Sequence, residues 1–255
     1  MDPYVVGMIA FICTFGGVLL GMALRRVLRE HHLAAESKET VKLAIGLIAT
    51  MTALVLGLVT ASAKSSFDSV DAAVKQSATQ LLALDRALAR YGPETAEIRV
   101  ALKQAVGARI DEIWPQGPSK PANRDLFGSG AASAGEKLAD TIHKLKPHDE
   151  SQQALKSRAL DLTETIMQTR WLVLAGTENS VPLPFLVVLL FWLTVIFVSF
   201  GVFSQPNVIV ITALFVCALS IGAALFLVLE LDKPFDGLLQ ISPDPMRYAY
   251  KYLNQ

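Results

Sequence analysis

Four long apolar runs and one amphipathic stretch account for most of the chain. A bilayer's hydrocarbon core of about 30 Å is crossed by a helix of roughly 20 apolar residues. The runs Tyr4–Leu24, Leu43–Ala63, Phe185–Phe203 and Asn207–Leu229 each meet that length and predict four membrane-spanning helices. Only Ser204-Gln205-Pro206 separates the last two, which predicts a tight helical hairpin, because proline lacks the backbone N–H that would continue a helix. The first run has no basic segment before it and no Ala-x-Ala site after it, so it reads as a span and not as a cleaved leader.

Between the second and third runs the periodicity changes. Phe67, Val70, Val74, Ser77, Leu81, Leu84, Leu88 and Tyr91 follow alternating spacings of three and four, a heptad seam on a helix that can continue directly out of the second span. Gly92-Pro93 breaks this helix, and Pro93 fits the first turn of the next. Ile98, Leu102, Ala105, Val106, Arg109, Ile110 and Ile113 then share a face as far as Trp114. From Pro115 to about Ala132 proline and glycine replace apolar periodicity, which predicts a loop or partly disordered linker. Ser133 and Glu136 match a capping box for a short helix ending at Pro147. Asp149 is placed to cap a last long helix through Leu155, Ala159, Leu162, Ile166 and Thr169 to Val173, with Gly176 to end it.

Charge sharpens this division. The chain is 52% apolar and 18% charged, but Asn179–Leu229 has no Asp, Glu, Lys or Arg, and Met1–Leu24 has only Asp2. Such segregation excludes ordinary soluble, disordered and disulfide-stapled classes. The 23 basic and 23 acidic residues cancel, so no global field points to nucleic acid. Cys13 and Cys217 lie inside apolar runs and read as packing residues. Arg25, Arg26, Arg29, Lys38 and Lys42 follow the first span while no base precedes it, which places that loop in the cytoplasm and residues 64–184 outside.

No Gly-rich phosphate loop, Gly-x-Ser-x-Gly elbow or His-Glu-x-x-His helix occurs, so no enzyme and no cofactor is expected. His31-His32, His143 and His148 lack partners at metal-ligand spacing and read as surface histidines. The second span is more informative. Gly46, Thr50, Ala53, Gly57 and Thr60 recur at spacings of four and three, giving a face of small residues that either lets helices approach closely or lines a narrow pore. Gly17 and Gly21 form a close-packing pair in the first span. After the fourth span, Glu230, Asp232 and Asp236 fall within seven residues around Pro234 and Gly237. They suit an acidic mouth or a hard-cation site. Glu230 is equally accounted for by pairing with a base such as Lys64 or Arg170. The tail from Ile241 to Tyr252 starts extended and ends as a short basic-aromatic helix suited to a membrane interface.

Several local runs resemble the bestrophin-like domain family of bacterial membrane proteins. They are Ala63-Lys64-Ser65-Ser66-Phe67-Asp68, Pro184-Phe185-Leu186-Val187-Val188-Leu189, Ser199-Phe200-Gly201, and Glu230–Gly237 with Ile241-Ser242-Pro243. The resemblance covers roughly Leu43–Pro245. It implies a relation to bestrophins, pentameric anion channels whose second span lines the pore and whose helical domain is cytoplasmic, the opposite side from the charge-based reading. Pro234-Phe235-Asp236-Gly237 looks similar to the bestrophin calcium-binding motif but lacks its dense acidic run.

The expected architecture is an all-α membrane protein with four transmembrane helices and a helical bundle inserted between spans two and three. Its segments are residues 1–63, 64–184, 185–231 and 232–255. Two functions fit. One is an ion channel, a homo-oligomer in the bacterial inner membrane, with Thr50, Ala53, Gly57 and Thr60 lining the path and Asp232 and Asp236 at a mouth. The other is a membrane-anchored interaction or sensing module that acts through the helical segment.

Overall fold

A computed structural model of the chain describes residues 2–27, 35–115, 129–177, 182–205 and 207–255. Eight α-helices run through these residues, and no strand occurs among them. They are α1 (Pro3–Val27), α2 (Ala35–Tyr91), α3 (Ala96–Ile113), α4 (Ser129–His143), α5 (Glu150–Thr177), α6 (Leu183–Phe203), α7 (Val208–Leu231) and α8 (Asp244–Tyr252). Four of these helices, α1, α2, α6 and α7, carry stretches long and apolar enough to cross a membrane. The chain divides into two compact units: Met1–Ser66 with Asn179–Lys233, and Phe67–Glu178 with Pro234–Gln255. Of the basic first loop, Arg29, His31 and His32 lie outside the described residues, as do residues 116–128 of the expected linker.

In the first unit α1 packs along both α6 and α7. Helices in lipid gain little from excluding water, so association relies on close contact, and small residues permit it. Gly21 and Gly201 meet where α1 crosses α6. A β-carbon added to Gly21 would lie 2.1 Å from the Val198 carbonyl oxygen, and one on Gly201 would lie 2.2 Å from that of Val18. Gly7 and Gly222 form a second, looser pair between α1 and α7, with 3.0 Å and 2.9 Å to the opposing carbonyls. Gly17 also faces α6, at Thr194 and Val198. Around these approaches Phe11, Phe15 and Phe215 pack edge to face. The Arg25 guanidinium donates to the carbonyl of Ser204, which caps α6, so the α6–α7 turn lies at the same end of the unit as the C-terminus of α1. Asn207 caps α7 by accepting from the Ile209 amide.

In the second unit the expected seam is the core. Val70, Leu84 and Leu88 are almost fully buried, and Val74 and Leu81 are buried with them against Ile98, Leu102, Val106 and Ile110 of α3; Tyr91 is buried as well. Helix α2 continues unbroken from its apolar half to Tyr91, where Gly92 turns the chain at a φ of 142°. Pro93 does not open α3 directly. Pro93–Thr95 form one 3-10 turn, because the Thr95 hydroxyl donates to the carbonyls of Leu88 and Gly92 and ties that turn to the end of α2. Asp149 caps α5 as its position predicts, accepting from the Gln152 amide, while the Gln152 side chain accepts from the His148 amide and donates to the Tyr91 carbonyl. Helix α4 starts at Ser129, so Ser133 lies inside it and is not its cap. Gly176 likewise falls within α5, which runs to Thr177.

The chain's last residues close this unit. Asp85, buried on α2, takes a two-pronged ion pair from Arg99 at 2.8 and 3.0 Å and also accepts the Asn254 amide. That carboxylate holds the Arg99 guanidinium above its ordinary pKa. Lys103 donates to the Leu253 carbonyl. Met246 and Ala249 of α8, with Leu253 just after it, enter the core, so this short helix docks on α3 through its apolar side while Tyr248, Tyr250 and Tyr252 stay exposed.

The glycine pair gives a direct test. Gly21→Ala or Gly201→Ala forces a methyl group into an opposing carbonyl and should destabilise the protein by about 1–3 kcal/mol, the range for overpacking. Gly46→Ala on α2, where nothing lies within 4 Å, should leave the subunit's stability unchanged. Thermal unfolding in detergent reads both, and equal midpoints for all three variants would contradict the packing described.

Candidate functional site

The apolar half of α2 presents three sectors, separated by roughly a third of a turn at about 3.6 residues per turn. Ile45, Ile48, Ala49, Val55, Leu56, Val59 and Ala63 pack into the first unit, and Thr52 is buried beside them. Leu43, Leu47, Met51, Leu54 and Leu58 form a bulky exposed sector, the composition a lipid-facing surface requires. Gly46, Thr50, Ala53, Gly57 and Thr60 form the third, and all five are exposed. An added β-carbon at Gly46 or Gly57 would meet no atom within 4 Å. Among the described residues neither glycine of the small face makes a close helix approach, a role that α1 fills.

The sector is weakly polar. The Thr50 hydroxyl donates to the Leu47 carbonyl at 2.8 Å and the Thr60 hydroxyl to the Leu56 carbonyl at 2.7 Å. Their donors are spent on the helix, which leaves oxygen lone pairs and methyl groups on the surface. The membrane-spanning part of α2 is also the least buried of the four candidate spans.

The acidic residues are divided between the two units. Glu230 and Asp232 end α7 in the first, with Glu230 almost fully buried, whereas Asp236 belongs to the second. Among the described residues no group of three or more His, Cys, Asp or Glu side chains is placed to hold a metal ion.

The segment around Asp236 has a clear structural role. Phe235 is buried against Trp114, the two rings meeting edge to face at 5.8 Å. The Trp114 indole N–H donates to the Ile241 carbonyl at 2.9 Å, and the Ile241 amide donates back to the Pro234 carbonyl at 2.8 Å. Gly237 sits inside this loop at a φ of 92°, a conformation that side chains resist. The motif thus plugs the end of the α2–α3 core.

Sequence spacing missed a further feature. The second unit contains an apolar cleft of about 1080 Å³ between α3, α4, α5 and the later half of α2. Its walls include Leu81, Ala101, Ala105, Ile166, Met167 and Val173, with charged side chains of both signs around them. The available signal was the pattern of α3, in which alanines and an arginine occupy the otherwise apolar face. Small side chains there leave space that larger ones would fill.

The family model of the bestrophin-like domain matches residues 12–246, nearly the whole chain. The chain belongs to the bestrophin-like family. The match runs from α1 into α8, so it takes in the spans, the helical unit and the Phe235 plug together. No curated protein and no solved structure matches the chain.

Within this bestrophin-like protein, Phe235→Ala should remove the plug and leave a cavity beside Trp114. The expected cost is about 3–5 kcal/mol. A large fall in the thermal midpoint, accompanied by a changed near-ultraviolet signal from Trp114, checks it. An unchanged midpoint would show that the motif does not anchor the core.

Proposed function

We propose that this protein is the subunit of an oligomeric ion channel in the bacterial inner membrane. The helical bundle stands between spans two and three in this reading, and Thr50, Ala53, Gly57 and Thr60 line the ion path. The observation that carries it is the exposed small sector of α2, which faces neither the rest of the subunit nor, by its composition, lipid. Further copies of the chain around an axis would give that sector a water-filled path, and family membership supports five of them. Asp232 and Asp236 then stand at a mouth. No catalytic step is assigned to any residue.

Purified oligomer in a planar bilayer should carry unitary currents. Gly57→Leu should reduce their conductance by an order of magnitude or more, because a bulky chain from each subunit would obstruct the path. Silent bilayers from well-folded oligomer, or currents indifferent to Gly57→Leu, would contradict the proposal.

In this reading the basic first loop is cytoplasmic and the helical unit lies on the outer side of the membrane. Ser151→Cys, on the exposed start of α5, should therefore react with a membrane-impermeant maleimide in cells whose cytoplasmic membrane is intact and exposed to the reagent. Labelling only after that membrane is permeabilised would reverse the orientation to the bestrophin arrangement.

The second reading, a sensing module, is favoured by the cleft in the helical unit and by the unbroken course of α2 from its apolar half to Tyr91. A single helix of this kind can carry a tilt or rotation along its length.

A further inference from the structure

We propose that the helical units of neighbouring subunits join head to tail, the outer face of α8 on one copy packing against the outer face of α5 on the next. This contact presupposes the oligomer proposed above and names the surfaces that hold part of it together.

Tyrosine, tryptophan and arginine are the side chains that protein interfaces favour. Because α8 docks on α3 through Met246 and Ala249, Arg247, Tyr248, Lys251 and Tyr252 are left exposed on its other side. The rings of Tyr248 and Tyr252 pair at 4.7 Å, and the Lys251 ammonium lies 5.9 Å from the centre of the Tyr252 ring. On α5, Asp161, Glu164, Gln168 and Trp171 recur at spacings of three and four, which puts them on one side of the helix. All four are exposed, Trp171 by 63%. The charges are complementary, two cations on α8 and two carboxylates on α5. Asp244 begins α8 and Arg158 precedes Asp161 on α5. With the two helices antiparallel, these opposing charges fall beyond opposite ends of the paired stretch.

The two faces lie on different flanks of the unit. Gln80 of α2 meets Thr169 of α5 at 3.4 Å, and Asp85 accepts the Asn254 amide just beyond α8 at 3.2 Å. Five residues turn an α-helix by about 140°. Between these flanks α3 touches α8 and α4, and α4 touches α5. A contact made through two unlike faces is heterologous and can close into a ring, whereas a two-fold dimer uses one face twice. A ring also needs both faces at one height. In the proposed oligomer α2 lines the path, so position along α2 measures that height. The Arg99–Asp85 pair starts α3 back along α2, which brings Lys103 and Gly107 level with the turns around Gln80. Tyr250 packs on Gly107, and Lys103 donates to the Leu253 carbonyl, so α8 runs with α2 beside those same turns. Helix α5 runs the other way, from Gln152 at Tyr91 to Thr169 at Gln80. Lys251 thus comes level with Glu164, and Tyr248 with Trp171.

The test uses the full chain in detergent, in a Cys13→Ser, Cys217→Ser background. Lys251→Cys and Glu164→Cys placed in one chain should, with a short bismaleimide, give a ladder of covalent dimers, trimers and larger species. Either substitution alone should give no dimer, because unlike faces meet. As a second measurement, Lys251→Glu should raise the concentration at which the oligomer dissociates at least roughly tenfold, since it sets like charges together. Glu164→Lys added to the same chain should restore it. Dimers from a single substitution, no ladder from an oligomer of intact mass, or a charge swap that restores nothing would each overturn the head-to-tail contact and leave the oligomer standing. A monomeric mass before crosslinking would overturn both.

Discussion

The close backbone approach of Gly21 on α1 to Gly201 on α6 sets what every other helix of the first unit can do. Two backbones with no side chain between them bring their carbonyls and α-carbons into contact, and Gly7 with Gly222 extends the same device to α7. In lipid this contact is the main source of helix affinity, because there is little water to exclude. With α1, α6 and α7 joined in this way, α2 joins them through one face only. Its bulky leucines and its small residues remain on the surface. The functional reading of the subunit follows from that division.

The second unit is governed by different physics. It has the periodicity of a water-soluble bundle, with a buried seam, a charged exterior and polar groups satisfied at its ends. Thr95, Gln152 and Asp85 each tie the end of one helix to another element. The buried hydroxyl of Tyr91, by contrast, finds no hydrogen-bond partner among the described residues. Burial and the carboxylates of Glu94 and Asp149 push its pKa above the ordinary phenol value, so the group stays neutral. Packing here leaves the cleft open where α3 carries alanine in place of larger apolar residues.

Much of this was legible in the sequence, for identifiable reasons. Spans are announced by length and apolarity, the seam by period, and the α5 cap by Asp149 standing just before an apolar repeat. What could not be read depended on partners that spacing does not name. The 3-10 turn at Pro93 exists because Thr95 reaches back to Leu88. Phe235 looked like part of an acidic motif until Trp114, far away in sequence, supplied its pocket. The small face of α2 was ambiguous between packing and pore because glycine serves both, and only the placement of α1 against α6 and α7 shows that packing within the subunit does not use it. The division of the acidic residues between two units was equally invisible to spacing.

In the channel proposed above, the small sector of α2 borders water while its leucine sector borders lipid. Substituted-cysteine accessibility measures this directly. In a Cys13→Ser, Cys217→Ser background, single cysteines at Thr50, Ala53, Gly57 and Thr60 are compared with cysteines at Leu47, Leu54 and Leu58 for reaction with a charged, membrane-impermeant thiol reagent on the assembled protein. Fast modification throughout the first set and protection throughout the second are expected of this arrangement. Protection of both sets, or faster reaction of the leucine sector, would contradict it.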